Sequence, residues 1–140
     1  MREIKKEKIY RLIDANFNRT KEGLRVCEDT ARFIFDDKKA TRRYKVIRHR
    51  LEALLGSLPI SKTSVIQSRN IRRDVGKKAL KSEFHRQNAK DIFYANSQRT
   101  KESLRVLEEF LKLVKANDAF EVKKIRYQIY ELERKIVKAF

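Results

Sequence analysis

Fifteen residues near the start of the chain, ANFNRTKEGLRVCED at positions 15 to 29, return at positions 95 to 109 as ANSQRTKESLRVLEE. The same Asn, Arg, Thr, Lys, Glu, Leu, Arg, Val and Glu stand at the same spacings, eighty residues apart in a chain of 140. The likeness extends beyond each block, because YKVIRHRLEAL at 44 to 54 matches VKKIRYQIYEL at 122 to 132 in Ile, Arg and Leu. A pair of elements is written twice, so each half must be built from the same part.

The period of the apolar residues says what that part is. From about Glu3 to Phe35, Ile9, Leu12, Ile13, Phe17, Leu24, Cys27, Ala31 and Ile34 recur at three- and four-residue steps, which predicts one long amphipathic helix. Asp36 or Asp37 can cap a second, with Tyr44, Ile47, Leu51, Leu54 and Leu55 on one stripe, and Gly56 and Pro59 stop it. A third is predicted from about Asn88 to Lys115 on Ile92, Phe93, Leu104, Leu107, Leu111 and Val114. The fourth starts at Asn117 or Asp118 and turns Val122, Ile125, Ile129, Leu132 and Ile136 inward. The expected fold is all-α: four main helices as two duplicated hairpins with approximate internal twofold symmetry. A single domain covers 1–140, with hairpins over 1–56 and 88–140. The segment between them, 57–87, is too long for a plain connection and should carry a short helix or a lid.

Composition narrows the setting. Thirty-six Lys and Arg against nineteen Asp and Glu give a net charge of +17, while only three Gly and one Pro interrupt a chain of helix formers. The richness in Lys, Arg and Glu also matches a thermophilic bias toward ion-pair networks. The lone cysteine, Cys27, cannot form an internal disulfide and aligns with Leu107, so it is expected as a buried hydrophobe in a reducing cytoplasm. No secretory leader opens the chain and no apolar run approaches the roughly 20 residues of a membrane span, so neither export nor insertion is expected.

At 100° per residue, with Asn16 set at zero, Arg19 falls near 300° and Thr20 near 40°, within the arc of the apolar residues. The same holds for Asn96, Arg99, Thr100 and Ser103 in the second block. An arginine in a buried stripe needs an anionic partner. Either Arg19 and Arg99 pair with Glu22, Glu28, Glu102 or Glu108, or they line, with Asn16 and Asn96, a central anion site. Arg25 and Arg105 point near 180°, away from the core; Arg48 and Arg126 lie beside the second and fourth stripes, where they can border the same site. Neither His49 nor His85 has a neighbour at metal-ligand spacing, and His49 is expected to be exposed.

The middle of the chain, SRNIRRDVGKKALKSEFHR, sets seven cationic residues around Asp74 and Gly76. It is either a solvated loop or a lid whose carboxylate meets a metal-bound phosphate. Three glycines cannot make a Gly-rich nucleotide loop, and no Ser-His-Asp or Cys-His set is present, so any phosphate must be held by Arg, Lys and helix N-termini. A nucleic-acid-binding module would account for the charge but not for arginines in helix stripes, and no helix-turn-helix or stacking motif stands out, so such a partner is not favoured.

IYRLIDANFNRTKEGLRVCEDTARFIFDD, the following IRHRLEALL, RDVG, and DIFYANSQRTKESLRVLEEFLKL together resemble the small hydroxymethylpyrimidine phosphate kinase family of thiamine biosynthesis, found alone or fused ahead of thiamine-phosphate synthase. The resemblance implies transfer of the γ-phosphoryl of ATP, with Mg²⁺, to 4-amino-5-hydroxymethyl-2-methylpyrimidine phosphate, giving the diphosphate that a separate synthase consumes. Carried over with it are Asn16, Arg19, Glu22, Arg25 and Glu28, their repeats Asn96, Arg99, Glu102, Arg105 and Glu108, then Asp74 and Gly76, and more weakly Arg48 and His49. The roles we infer for them are Arg19, Arg99 and Asp74 as catalytic, Asn16, Asn96, Arg25, Arg105, Arg48 and Gly76 as phosphate-binding, and Asp74 or a helix glutamate, Glu28 or Glu108, as the metal ligand. Asn70 stands where an acidic residue would be expected. With nothing after Phe140 resembling a barrel, the stand-alone form is expected.

Overall fold

A computed structural model describes residues 4–140, and among them there are helices and turns but no strand. Helix α1 runs Lys6–Asp29, α2 Lys38–Gly56, α3 Lys62–Gln67, α4 Ala89–Leu111 and α5 Ala116–Val137. The predicted start of the first helix near Glu3 lies outside the described residues.

The ends follow from local chemistry. Asp37 accepts the Ala40 N–H at 2.9 Å and caps α2; Asn88 accepts the Asp91 N–H at 2.9 Å and caps α4. Asn117 caps nothing: α5 begins at Ala116, with Asp118 buried in its first turn 3.6 Å from the Lys115 ammonium. Helix α1 does not run straight to Phe35. Thr30–Ile34 form a π-helical turn, and Asp36 then takes a left-handed conformation at φ 50°. The wider turn rotates the stripe, so Ile34, placed inward by helical period, is 55% exposed.

Apart from Ile92, which is 40% exposed near the start of α4, the remaining stripes close one core. Ile13, Phe17, Leu24 and Cys27 of α1 and Phe93, Leu104, Leu107 and Leu111 of α4 meet Tyr44, Ile47 and Leu51 of α2 and Val122, Ile125, Ile129 and Ile136 of α5. Helices α1 and α4 form the most extensive contact, with α2 folded back on α1 and α5 on α4. At one end Phe140 packs edge-on against Phe35, ring centroids 4.7 Å apart, and against Phe93 at 5.7 Å, tying the last residue to both halves.

The connecting segment holds the short helix α3 and a 3-10 turn at Lys81–Phe84. From Arg69 to Asn88 every residue is exposed.

Candidate functional site

The two copies of the repeated block meet face to face. The Thr20 hydroxyl lies 2.6 Å from the Ser103 hydroxyl, and a Cβ on Gly23 would collide with the Thr100 hydroxyl and stand 2.8 Å from the Asn96 carbonyl oxygen. Residue 20 facing 103 and residue 23 facing 100 make the helices antiparallel. Their separation is so small because Gly23 has no side chain. Thr20 and Thr100 further satisfy their hydroxyls on the carbonyls of Asn16 and Asn96, at 2.8 and 2.9 Å.

That register decides the expected central site. The level of Asn16 on α4 is residue 107, eleven residues from Asn96, so the two asparagines stand roughly 16 Å apart along the axes. They do not share one site. Each donates its amide to a carbonyl one turn back, Asn16 to Leu12 and Asn96 to Ile92, both at 2.9 Å. The Asn16 Oδ1 is buried without a partner.

Arg19 and Arg99, expected within the buried arc, are exposed. Helix wheels place a Cβ, and these two lie at the edge of the tightly packed α1–α4 seam, where no room remains for a guanidinium; the long side chains leave for water. Neither has a carboxylate within ion-pair distance among the described residues, so pairing with Glu22, Glu28, Glu102 or Glu108 is also not what occurs. Glu22 and Glu102 are themselves exposed.

The other repeated arginines do have carboxylates. Arg48 of α2 approaches Glu28 at 3.3 Å, and Arg126 of α5 grips Glu108 with two bonds of 2.6 and 3.3 Å. Both carboxylates are nearly fully buried, and the bond to Glu108 holds the Arg126 guanidinium above its ordinary range. Arg25 adds a 3.3 Å contact to Glu28, and Arg105 lies 3.4 Å from Glu109; both are exposed, as their helix positions indicate. Glu28 and Glu108 thus hold each hairpin together through arginine and are not presented to a metal. Among the described residues no group of three or more His, Cys, Asp or Glu side chains gathers.

Where the connecting segment leaves α3 it is fastened to α1. Arg69 meets buried Asp14 bidentately at 2.7 and 2.9 Å, which holds its guanidinium above the usual range, and Arg11 donates to the Asn70 carbonyl at 2.8 Å. The Asn70 side chain accepts from the Arg73 N–H at 3.1 Å, a turn contact rather than a ligand position. Asp74 closes its own turn by accepting the Gly76 N–H at 2.9 Å, and both are exposed, as are His49 and His85.

Three features escape a reading of periodicity. Lys101, identical in the repeat to Lys21, is buried, bonded to Glu133 at 2.8 Å and set over the Tyr130 ring at 4.7 Å. Cys27 is buried as expected; desolvation first and then the Glu133 charge push its thiol up to about 12. Two cavities are also unannounced. One, of about 510 Å³, lies between α2 and α5; the other, of about 490 Å³, lies under α3 beside Asp14 and Arg69. No helix is long and apolar enough to cross a membrane among the described residues.

The ThiD2 family model matches residues 11–135. A thiamine-phosphate synthase of Rhodopirellula baltica is 36% identical over 129 residues, covering 91% of this chain and 34% of that protein. One from Prochlorococcus marinus is 39% identical over 129 residues, 90% of this chain and 34% of its own. A third, from Nostoc punctiforme, is 33% identical over 133 residues, 92% and 35% of the two chains. The chain therefore spans about a third of the length of the curated relatives it matches. No solved structure matches.

Proposed function

This chain belongs to the ThiD2 family, and we propose that it phosphorylates 4-amino-5-hydroxymethyl-2-methylpyrimidine phosphate in thiamine biosynthesis. A phosphate oxygen of the substrate attacks the γ-phosphorus of ATP, the bond to the β-phosphate oxygen breaks, and the diphosphate and ADP leave. Its link to thiamine-phosphate synthase is that this diphosphate is the synthase's substrate, a role in keeping with the names of its relatives.

One observation carries this reading. The repeat writes arginine at three places in each half; Arg25 and Arg48, like Arg105 and Arg126, have carboxylates, while Arg19 and Arg99 have none among the described residues and face water. Two matched cations left open beside one seam, about 7 Å apart along the helix axes, suit a ligand with two phosphate groups. In this account each guanidinium takes one phosphate, the anchoring one on the pyrimidine and the one in transfer. Arg25 and Arg105, one and a half turns on, neutralise the same charge from the flanks. The Asn96 Oδ1, on a side chain more open than that of Asn16, then accepts from a donor group on a ligand.

Phosphoryl transfer asks mainly for positioning and charge stabilisation, so a site without a general base is adequate. Mg²⁺, when bound, would supply positive charge against the nucleotide phosphates. Asp74, exposed and with one oxygen free of the Gly76 turn, fits as its carboxylate; Glu28 and Glu108 do not, since arginines hold them. The basic segment around Asp74 then serves as a lid. The approximate twofold relation of the hairpins belongs to the same proposal, supported by the reciprocal contacts of Thr20 with Ser103 and Gly23 with Thr100.

Selectivity follows from the anchor: the free alcohol would leave a guanidinium without its anion. An ATP-coupled assay with the monophosphate and, separately, the alcohol tests the proposal.

A further inference from the structure

The cavity between α2 and α5 is lined by none of the residues placed in the proposed site. Its rim on the α2 side is Lys39, Arg42 and Arg43, the α5 side adds Gln128 and Glu131, the latter 3.8 Å from Arg134 and 3.9 Å from Lys135, and its floor is apolar, Val46 and Ile47 meeting Leu132. None of the three rim cations has a carboxylate within ion-pair distance among the described residues, whereas Arg50, which also lines the groove, is held by Glu121 at 2.8 Å. They occupy positions i, i+3 and i+4 of one helix face, so their charges converge on one mouth.

The rim is also where the repeat is abandoned. By the register that aligns Arg48 with Arg126, the counterparts of Lys39, Arg42 and Arg43 on α5 are Asn117, Phe120 and Glu121. The buried set of the hairpin is retained across this divergence, Ile47 matching Ile125, so packing does not call for the three cations. Half of the Val46 side chain remains open at the floor, 51% exposed. A polycationic head over an apolar bed is complementary to a ligand with a chain of phosphates on a flat, weakly polar ring.

We propose that the α2–α5 groove binds a nucleoside triphosphate, with Lys39, Arg42 and Arg43 on the phosphates and the base on Val46, Ile47 and Leu132. It rests on the kinase reading for the nucleotide's identity and gives the nucleotide a binding place of its own. The groove is lined by neither Arg19 nor Arg99, so its variants report on it alone.

Calorimetry on the full chain at about 0.15 M salt, with ATP and with inorganic triphosphate as probes, tests it. ATP is expected to bind more tightly than triphosphate. Arg42→Ala with Arg43→Ala should weaken both by at least about tenfold, as loss of charge-assisted contacts would. Val46→Ser should weaken ATP by about fivefold and leave triphosphate unchanged. Lys123→Ala with Lys138→Ala, which removes the same charge elsewhere, should change little. Equal losses in the two charge-removing pairs, unaltered ATP affinity in the groove variants, or groove-dependent binding of RNA but not of ATP would each overturn the proposal. ATP binding that responds to the groove variants in a protein that does not turn over the monophosphate leaves the groove standing and removes the kinase reading. Turnover with a KM for ATP untouched by Arg42→Ala and Arg43→Ala does the reverse.

Discussion

Thr20 and Ser103, eighty-three positions apart, share a 2.6 Å hydrogen bond at the point where the two copies of the repeated block cross. One helical turn along, Gly23 stands against Thr100 with no space for a methyl group.

Gly23→Ala is therefore expected to destabilise the chain. Alanine returns up to about 1 kcal/mol of helix propensity, but one of the atoms it strikes is the Asn96 backbone carbonyl, which cannot rotate away, and overpacking of this kind costs about 3 kcal/mol. Urea unfolding should show a net loss of about 2 kcal/mol. Gly76→Ala, where a Cβ meets only the Asp74 carboxylate at 3.6 Å, should be neutral.

Arg126→Ala should be more damaging, since it strands the buried Glu108 carboxylate without its two bonds. A loss of about 3 kcal/mol is expected, and Glu108→Leu added to Arg126→Leu should restore much of it by removing both charges together. Thermal unfolding of the single and double variants checks this. If Arg126→Ala is silent, the paired carboxylate does not hold the hairpin.

Cys27 makes stability fall in alkali. Its thiol is raised from 9.0 to about 12, so the folded state keeps the proton longer than the unfolded chain does. The contribution is complete below pH 9.0 and is lost as pH rises toward 12, by about 1.4 kcal/mol per unit. Tyr44, raised from 10.0 by burial first and then by the neighbouring Cys27 and Glu133 charges, steepens the same decline. Cys27→Ala should flatten the part between pH 9.0 and 10.0 in denaturant titrations. The native thiol should resist thiol reagents at neutral pH.

Arg19→Ala and Arg99→Ala separate function from folding. Both side chains are exposed and without an ion pair among the described residues, so stability should move by less than about 0.5 kcal/mol. On the proposed role, kcat/KM for the monophosphate should fall at least about a hundredfold in each. Full activity in both would remove the site assignment.

The stripes were plain in the sequence because burial repeats with helical period: Val122, Ile125, Ile129, Leu132 and Ile136 are all buried, and Asp37 and Asn88 cap where their chemistry indicates. What periodicity misses is anything set by a neighbour. The turn of α1 from α to π geometry depends on how the chain leaves the core, and it moved Ile34 outward. Arg19 has its Cβ near the buried arc, but only the narrowness of the α1–α4 crossing, fixed by Gly23, decides that its head lies in water. The partners of Glu28 and Glu108 come from α2 and α5, and no spacing within one helix names them. Lys21 and Lys101 are the same letter of the repeat with different surroundings, one beside the α3 cavity and the other buried on Glu133.

The central claim is that an existing phosphate anchors the substrate. Its most direct test is ADP release from ATP and Mg²⁺ by the purified chain, supplied with hydroxymethylpyrimidine monophosphate in one reaction and the free alcohol in another. Turnover of the monophosphate, with diphosphate formed in step with ADP and the alcohol left unchanged, is the predicted result. A folded chain that turns over neither compound, or both equally well, would contradict it.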